Sequence, residues 1–384
     1  MRILIAGTTY YPALNGQAIF TINLAEGLAK RGHQVTVLFP ESHNFSRRRN
    51  GVQLEAVGSM SLTFIHTGTY VPVFFGKRVR RVFDSFQPEV IHIQDHYPLS
   101  KFVVNEAKTC GLKIIGTNHF SPINLTPYMP ALPRLMPFYD RNLWNWMMRV
   151  YNRLDLVTAP SRSAVELMLE KGLKVPAFPL SCGTDLTHFH PDSSIDRVAC
   201  RLKYGLNPDK TIFLFVGRVD QEKRIDVLLQ ALQHVKRDDI QLAIAGNGAA
   251  LRELKSLARK LNLGNLVRFT NYVRNEELHS LLNSVDVFMM ASDHESLSIA
   301  SLEAMACGLP LLLADASALA DLVAPGINGY LFKPGDAKDA ACYMEMLTDQ
   351  RDQRNAMGKA SLIKVQSHRL ENTIQAYENF YQSL

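Results

Sequence analysis

No uncharged apolar run in the 384-residue sequence approaches the roughly 20 residues that a membrane-spanning helix needs, which excludes a helical integral membrane protein. Met1-Arg2-Ile3-Leu4-Ile5-Ala6-Gly7 enters a short apolar strand at once. It has neither the apolar core nor the cleavage site of a secretory signal. The five cysteines, Cys110, Cys182, Cys200, Cys307 and Cys342, are scattered, odd in number and free of Cys-x-x-Cys spacing. That pattern argues against a disulfide framework and a thiolate metal site, and for reduced thiols in a cytoplasmic protein. No repeat of solenoid period and no low-complexity tract is present, so neither an array nor a disordered chain is indicated.

What is present is a chain that is 47% hydrophobic and 20% charged, long enough for two domains of ordinary size. Short β-rich runs alternate with helical ones, the signature of parallel α/β sheets. Strands are expected at residues 3–6, 35–39, 90–93, 113–117 and 156–159, and again at 211–216, 241–245, 267–269, 285–290 and 309–313. A helix over 19–31 should stop at Gly32, since glycine suits a helix C-terminus. Residues 175–191, rich in Pro, Gly and polar side chains, read as a linker. A last helical stretch, 369–384, carries Tyr377, Phe380 and Tyr381 at helical spacing and must dock on a core.

The net charge of +6 is unevenly spread. Arg47-Arg48-Arg49 and Lys77-Arg78-Val79-Arg80-Arg81 suit an anionic partner, or form a solvated basic face. Nucleic acid is not expected, because the aromatics do not form a stacking set on a sheet face.

The first loop, Gly7-Thr8-Thr9-Tyr10-Tyr11-Pro12-Ala13-Leu14-Asn15-Gly16, is too long for the Gly-x-Gly-x-x-Gly of a nicotinamide enzyme. Gly16 before a helix start either lets amides approach a phosphate or simply makes a turn. In the second half, Gly217-Arg218 ends a strand and Glu222-Lys223 follows. An arginine and a lysine at a strand's C-terminal edge suit a diphosphate, or a solvated loop. Gly246-Asn247-Gly248 ends the next strand and again frees backbone for close approach. Residues 292–308 put Glu295 in a loop before a helix capped by Ser296 or Ser298 and closed by Gly308. Glu303 is then expected about two turns in, roughly 12 Å along the axis from Glu295. The helix start offers amides to a phosphate, and the two glutamates can accept hydroxyls on either side of it. A capped helix with two exposed acids is the plainer reading of that segment alone.

Together these segments, in this order, resemble the retaining glycosyltransferases of the GT-B fold marked by Glu-x7-Glu, glycosyltransferase family 4. Ala324-Pro325-Gly326-Ile327-Asn328-Gly329 and the join Gly183-Thr184-Asp185 with Phe189-His190-Pro191 extend the match over almost the whole chain. The resemblance implies two Rossmann-like α/β domains facing a cleft. Residues 1–185 would bind the acceptor and 186–365 the nucleotide sugar, with the helix 366–384 returning to the first domain. It implies that Arg218 and Lys223 hold the donor diphosphate, helped by amides near Gly16. Glu303 would take the ribose hydroxyls and Glu295 the transferred sugar. The segment Ser296, Leu297, Ser298 and Ile299 would face phosphate and sugar, Gly246 would line the donor site, and Tyr272-Val273 would meet the base. His119 would serve donor sugar and acceptor, with Tyr10 and His96 beside the acceptor. Arg218, Lys223, Glu295 and His119 form the catalytic set, with no metal and no cofactor beyond the donor. Asn15-Gly16 and Cys182-Gly183 depart from the family's Gly-Gly and Asn-Gly.

No carboxylate is clearly placed on the opposite sugar face, so same-face attack through an oxocarbenium-like state is expected. Asn118-His119-Phe120 and the strand end His92-x-Gln94 resemble those of bacterial diacylglycerol glycosyltransferases. Residues 120–153 mix prolines (Pro122, Pro127, Pro130, Pro133, Pro137), aromatics and Met (Phe138, Tyr139, Trp144, Trp146, Met147, Met148) with Arg134, Arg141, Arg149 and Arg153. They read either as a surface for anionic lipid or as a helix packing Trp and Met into a core. The expected reaction is hexosyl transfer from a nucleotide-diphosphate sugar, UDP-glucose or GDP-mannose, with UDP-glucose the family's commonest donor. A membrane lipid such as diacylglycerol is the expected acceptor, which would bring the protein to the cytoplasmic membrane face. A soluble sugar or lipid-linked glycan acceptor is the alternative, and a silent sugar-nucleotide binding protein is the reading from another class.

Overall fold

The computed structural model describes residues 1–11, 15–61, 70–72, 75–122 and 136–384. The chain divides into two compact units, Met1–Cys182 with Leu370–Leu384, and Gly183–Arg369. The join lies at Cys182/Gly183, and the last helix changes unit at Leu370.

In the first unit the strands are β1 (Arg2–Ala6), β2 (Gln34–Glu41), β3 (Phe45–Arg49), β4 (Val52–Ser61), β5 (Tyr70–Pro72), β6 (Val90–Ile93), β7 (Lys113–Thr117), β8 (Leu156–Ala159) and β9 (Ala177–Pro179). They are ordered β3-β4-β2-β1-β6-β7-β8-β9, with β5 on β4. All pairings are parallel except β3 and β5 on β4. The helices are α1 (Gly16–Lys30), α2 (Gly76–Phe86), α3 (Pro98–Thr109), α4 (Met136–Tyr151) and α5 (Arg162–Glu170). β1 has β2 on one side and β6 on the other. Chain order therefore reverses there, and the carboxyl ends of β1 and β6 flank the crevice where open α/β sheets take ligands.

Three features of the first unit bear on the sequence reading, and the second corrects it. Arg47, Arg48 and Arg49 lie on an antiparallel edge strand, β3, where charge blunts strand-to-strand association. The supposed linker begins inside the sheet, because β9 pairs with β8. In α4, Trp144, Met147, Met148, Val150 and Tyr151 are buried in the core, while Phe138 is 71% exposed. The packing interpretation therefore holds for most of this helix's aromatics and methionines. Pro127, Pro130, Pro133 and Arg134 lie outside the described residues, as do Pro12, Ala13 and Leu14 of the first loop.

The C-terminal helix (Leu370–Ser383) docks on α1. A Cβ on Gly27 would stand 2.2 Å from the Ile374 side chain, so a larger residue there would have to displace Ile374. Tyr381 and Tyr377 reach inward: the Tyr381 hydroxyl lies 2.7 Å from His92 Nδ1, and that of Tyr377 lies 2.9 Å from Thr117 and Thr158.

The second unit has strands β10 (Thr211–Val216), β11 (Ile240–Ala245), β12 (Val267–Asn271), β13 (Val287–Met290), β14 (Leu311–Ala314) and β15 (Gly329–Phe332). Their order is β12-β11-β10-β13-β14-β15, parallel throughout. Around them lie α6 (Arg197–Lys203), α7 (Ile225–His234), α8 (Leu251–Lys260), α9 (Asn275–Ser284), α10 (Ile299–Ala306), α11 (Ser317–Leu322), α12 (Ala337–Asp349) and α13 (Arg351–Lys364). The strand expected at 285–290 starts later, because Asp286 is used as a side-chain acceptor. It takes the Ile212 amide at 2.8 Å and pairs with Arg201 at 2.7 Å. Here the switch point falls between β10 and β13, so the loops after those two strands are the ones topology brings together.

Candidate active site

Those two loops carry Arg218, Lys223 and Glu295. Lys223 Nζ lies 2.6 Å from Glu295 Oε1 and 3.6 Å from Glu222. Arg218 pairs with Asp220 at 2.6 Å and also with Glu222. A second lace runs from Arg224 to Asp293 at 2.6 Å. Burial works to lower the Lys223 pKa, but Glu295 and Glu222 outweigh it and hold the ammonium above its ordinary range. Two cations thus stand among three carboxylates, Asp220, Glu222 and Glu295. A diphosphate bound here would have to take Arg218 and Lys223 over from those carboxylates. Asp220 and Glu222, both within five residues of Arg218 in the sequence, are competitors that the basic pattern alone does not reveal.

Beyond Glu295 the chain stays non-helical until Ile299, and Ser298, not Ser296, is the cap. Its Oγ accepts the Ser301 amide at 3.1 Å and the Ser301 hydroxyl at 2.7 Å. The first-turn amides of Ile299 and Ala300 have no intrahelical acceptor, as at any helix start. Free amides at a helix start can hold a phosphate, and here they follow the loop whose Glu295 meets Lys223. Because the helix starts at Ile299, Glu303 lies one turn inside it rather than two, about 6 Å along the axis from Ile299.

Glu303 is not an exposed acid. It is 8% exposed, burial raises its pKa to about 8, and no described residue pairs with its carboxyl group. A buried, unpaired carboxyl is costly unless something donates to it.

Gly246 and Gly248 permit a close approach of backbone to backbone. A Cβ on Gly246 would stand 1.8 Å from the Gly217 carbonyl, and one on Gly248 would stand 2.4 Å from that of Val219. The two glycines let the loop after β11 lie on the loop after β10. The seam is closed by Val219 N–H to the Asn247 carbonyl (2.9 Å) and Ala250 N–H to the Val219 carbonyl (3.0 Å). Their close approach is to backbone, and it shapes the turn that presents Arg218. Tyr272, half exposed, and buried Val273 follow edge strand β12.

In the first unit, His119 follows β7 and Gln94-Asp95-His96 follows β6. His119 Nε2 lies 3.0 Å from Gln94 Oε1, so this nitrogen carries the proton. The ring packs on Phe20 at 4.8 Å. Burial lowers its pKa to about 3, which makes it a neutral imidazole at any working pH. His96 is fully buried among Tyr97, Phe120, Trp146 and Tyr151. Both its ring nitrogens lack a partner among the described residues, and burial takes its pKa to about 4. Tyr10 is likewise buried against Phe39, its hydroxyl unpartnered among the described residues. Gly16 opens α1, where Asn15 Oδ1 accepts the Ala18 amide at 2.9 Å; Asn15-Gly16 is a capped helix start.

Asp95 was missed by the sequence analysis. Its carboxylate accepts the Thr8 amide (2.6 Å), Gln17 Nε2 (3.1 Å), the Tyr97 amide (3.1 Å) and Ser100 Oγ (2.7 Å). It therefore fixes both loops at the β1/β6 switch point. The polar run Gln94-Asp95-His96 directly after an apolar strand was the available signal. Tyr10, Gly16, His96 and His119 belong to the first unit; every other residue expected at the site belongs to the second.

Comparison with known proteins agrees with the fold of both units. Residues 14–188 match the Glycosyltransferase Family 4 domain, and residues 197–362 match Glycosyl transferases group 1. The chain is 28% identical to a GDP-mannose-dependent alpha-mannosyltransferase of Mycolicibacterium smegmatis, over 86% of this chain and 84% of that one. It is 24% identical to the alpha-monoglucosyldiacylglycerol synthase of Streptococcus pneumoniae, over 99% and 85%. Among solved structures, Anabaena HepE in complex with UDP-glucose has the same fold, with a TM-score of 0.80 at 17% identity over 99% of this chain and all of that one.

Proposed function

From a chain that belongs to the retaining GT-B glycosyltransferases, with a family 4 domain followed by a group 1 domain, and that is a hexosyltransferase, we propose a glycolipid synthase. It transfers glucose from UDP-glucose to a membrane lipid such as diacylglycerol, with retention at the anomeric carbon. The observation that carries the donor half is the meeting of Lys223, Glu295 and the start of α10 at the β10/β13 switch point. The name of the Streptococcus relative supports the lipid acceptor, as does the exposed face of α4 with Phe138, Arg141 and Arg149.

In this mechanism the anomeric C–O bond breaks with its electron pair leaving on the diphosphate. Arg218, Lys223 and the α10 amides take up that charge. The acceptor hydroxyl attacks from the same face, and its proton passes to the departing phosphate oxygen. Glu295 orients the sugar and Glu303 accepts the ribose hydroxyls. His119, neutral and held by Gln94, orients the sugar without adding positive charge near the developing oxocarbenium ion. The protein's own cations supply the charge, so transfer proceeds without a catalytic metal.

A second reading rests on the Mycolicibacterium relative: the donor is GDP-mannose. One experiment tests both. Radiolabelled UDP- and GDP-sugars are offered with diacylglycerol in mixed micelles containing anionic lipid, without added metal. Label in the lipid phase from UDP-glucose is the expected result, and label from GDP-mannose replaces the donor. Donor hydrolysis with no lipid product refutes the lipid acceptor.

A further inference from the structure

Among the described residues one side-chain cluster has metal-ligand spacing, and the proposed transfer makes no use of it. His190, Asp192 and His279 each bring a ligand atom within 4.8 Å of the others. His190 and Asp192 lie on the segment entering the second unit, and His279 lies on α9. Several features order the cluster. The Asp192 amide donates to Asn283 Oδ1 at 2.9 Å. Asp192 Oδ1 accepts the Ser194 amide at 2.9 Å and the Ser194 hydroxyl at 2.6 Å.

His279 Nε2 lies 2.9 Å from the His190 carbonyl and donates to it. That bond fixes the neutral tautomer with its lone pair on Nδ1. A ring N–H given to a backbone carbonyl is the outer-shell arrangement of metal-bound imidazoles. Close by, His188 carries a buried Nε2 with no partner among the described residues, its ring 5.9 Å from that of His279.

We propose that His190, Asp192 and His279 form a divalent transition-metal site, with zinc as the fitting ion and solvent as the fourth donor. Two imidazoles and a carboxylate are a zinc-type set, and borderline nitrogen donors disfavour magnesium and calcium. Tetrahedral zinc with bonds of about 2.0–2.1 Å needs donors roughly 3.3 Å apart, so the cluster closes by side-chain rotation, with exposed His190 moving most. The role is a clamp that ties the entering segment to α9. Behind it, Asn283 Nδ2 donates to the His190 carbonyl and to the His279 carbonyl, each at 3.0 Å, and so already joins the two segments. Because the native state alone assembles these donors, binding stabilises the fold.

The test is titration of metal-freed full-length protein with zinc chloride by calorimetry, with cobalt(II) absorption as a second readout. One equivalent of zinc per chain, visible cobalt bands of nitrogen–oxygen coordination and a rise in melting temperature are expected. His279→Gln and Asp192→Asn should each weaken zinc binding at least tenfold. His43→Gln, elsewhere on the surface, should leave it unchanged. The proposal fails if wild type takes up no stoichiometric zinc, or if H279Q and D192N bind it as tightly as wild type. If H279Q melts early without metal, D192N alone carries the comparison. None of these readouts uses sugar transfer, so failure here leaves the proposed reaction intact.

Discussion

Replacing Glu303 by glutamine should make the protein more stable and a worse donor binder at once, and both effects should depend on pH. In the free protein, burial raises the pKa of this carboxyl from 4.5 to about 8. At about 1.4 kcal/mol per pH unit, that displacement sets a ceiling of roughly 5 kcal/mol on the cost of the ionised form. The sign follows from linkage. A raised acid binds more protons folded than unfolded between pH 4.5 and 8, so its stabilising share is full below 4.5 and is lost as pH rises through 8. Glu303→Gln removes that loss. Its thermal and urea stability should match wild type near pH 5 and exceed it at pH 9.

Donor binding should move the other way. If ribose hydroxyls donate to the ionised carboxylate, wild-type affinity rises between pH 6 and 9 as that form becomes available. The variant's affinity should stay flat across the same window. A hydrogen bond to a charged group contributes about 1.5–3 kcal/mol, so at pH 9 the variant should bind UDP-sugar roughly tenfold to a hundredfold more weakly. Calorimetry at pH 6, 7, 8 and 9 reads this directly. Wild-type affinity at pH 9 in the variant, or a stability difference equal at pH 5 and pH 9, would refute the reasoning.

Arg218→Ala should lower kcat about a hundredfold or more, with a smaller change in KM, since the lost charge acts mainly on the departing diphosphate; unchanged turnover in a steady-state assay sinks the mechanism. Gly246→Ala should cost roughly 3 kcal/mol or more, because its Cβ meets the Gly217 carbonyl at 1.8 Å, and denaturant unfolding of the variant would show it. Tyr381→Phe strands His92 Nδ1, which is fully buried, and should cost about 1–3 kcal/mol with little change in donor affinity. A loss below about 0.5 kcal/mol, the size of an ordinary surface change, would mean that the contact does not hold the C-terminal helix.

The sequence determined what depends on local pattern. Apolar runs bounded by turn residues located β6, β7, β8 and β10 to the residue, and Ser298 and Gly308 bracketed α10. The order of the glycine, basic and acidic segments identified the family. β3, β4, β5, β9 and β15 escaped: β3 is mostly arginine, β5 and β9 have three residues each, and the ten-residue β4 ends in Gly58-Ser59-Met60-Ser61. Their pairing is decided by a neighbouring strand and not by their own periodicity.

Only the tertiary structure decided what the charged residues do at rest. Lys223 and Glu295 stand 72 residues apart and meet at 2.6 Å because the sheet reverses order between β10 and β13. Glu303 became a raised acid because packing removed its water, and the glycines after β11 proved to serve a backbone seam. His190 and His279, 89 residues apart, share a cluster that no spacing in the sequence reveals. Local propensity is written along the chain, whereas burial and charge pairing are set by which loops the sheet topology brings together.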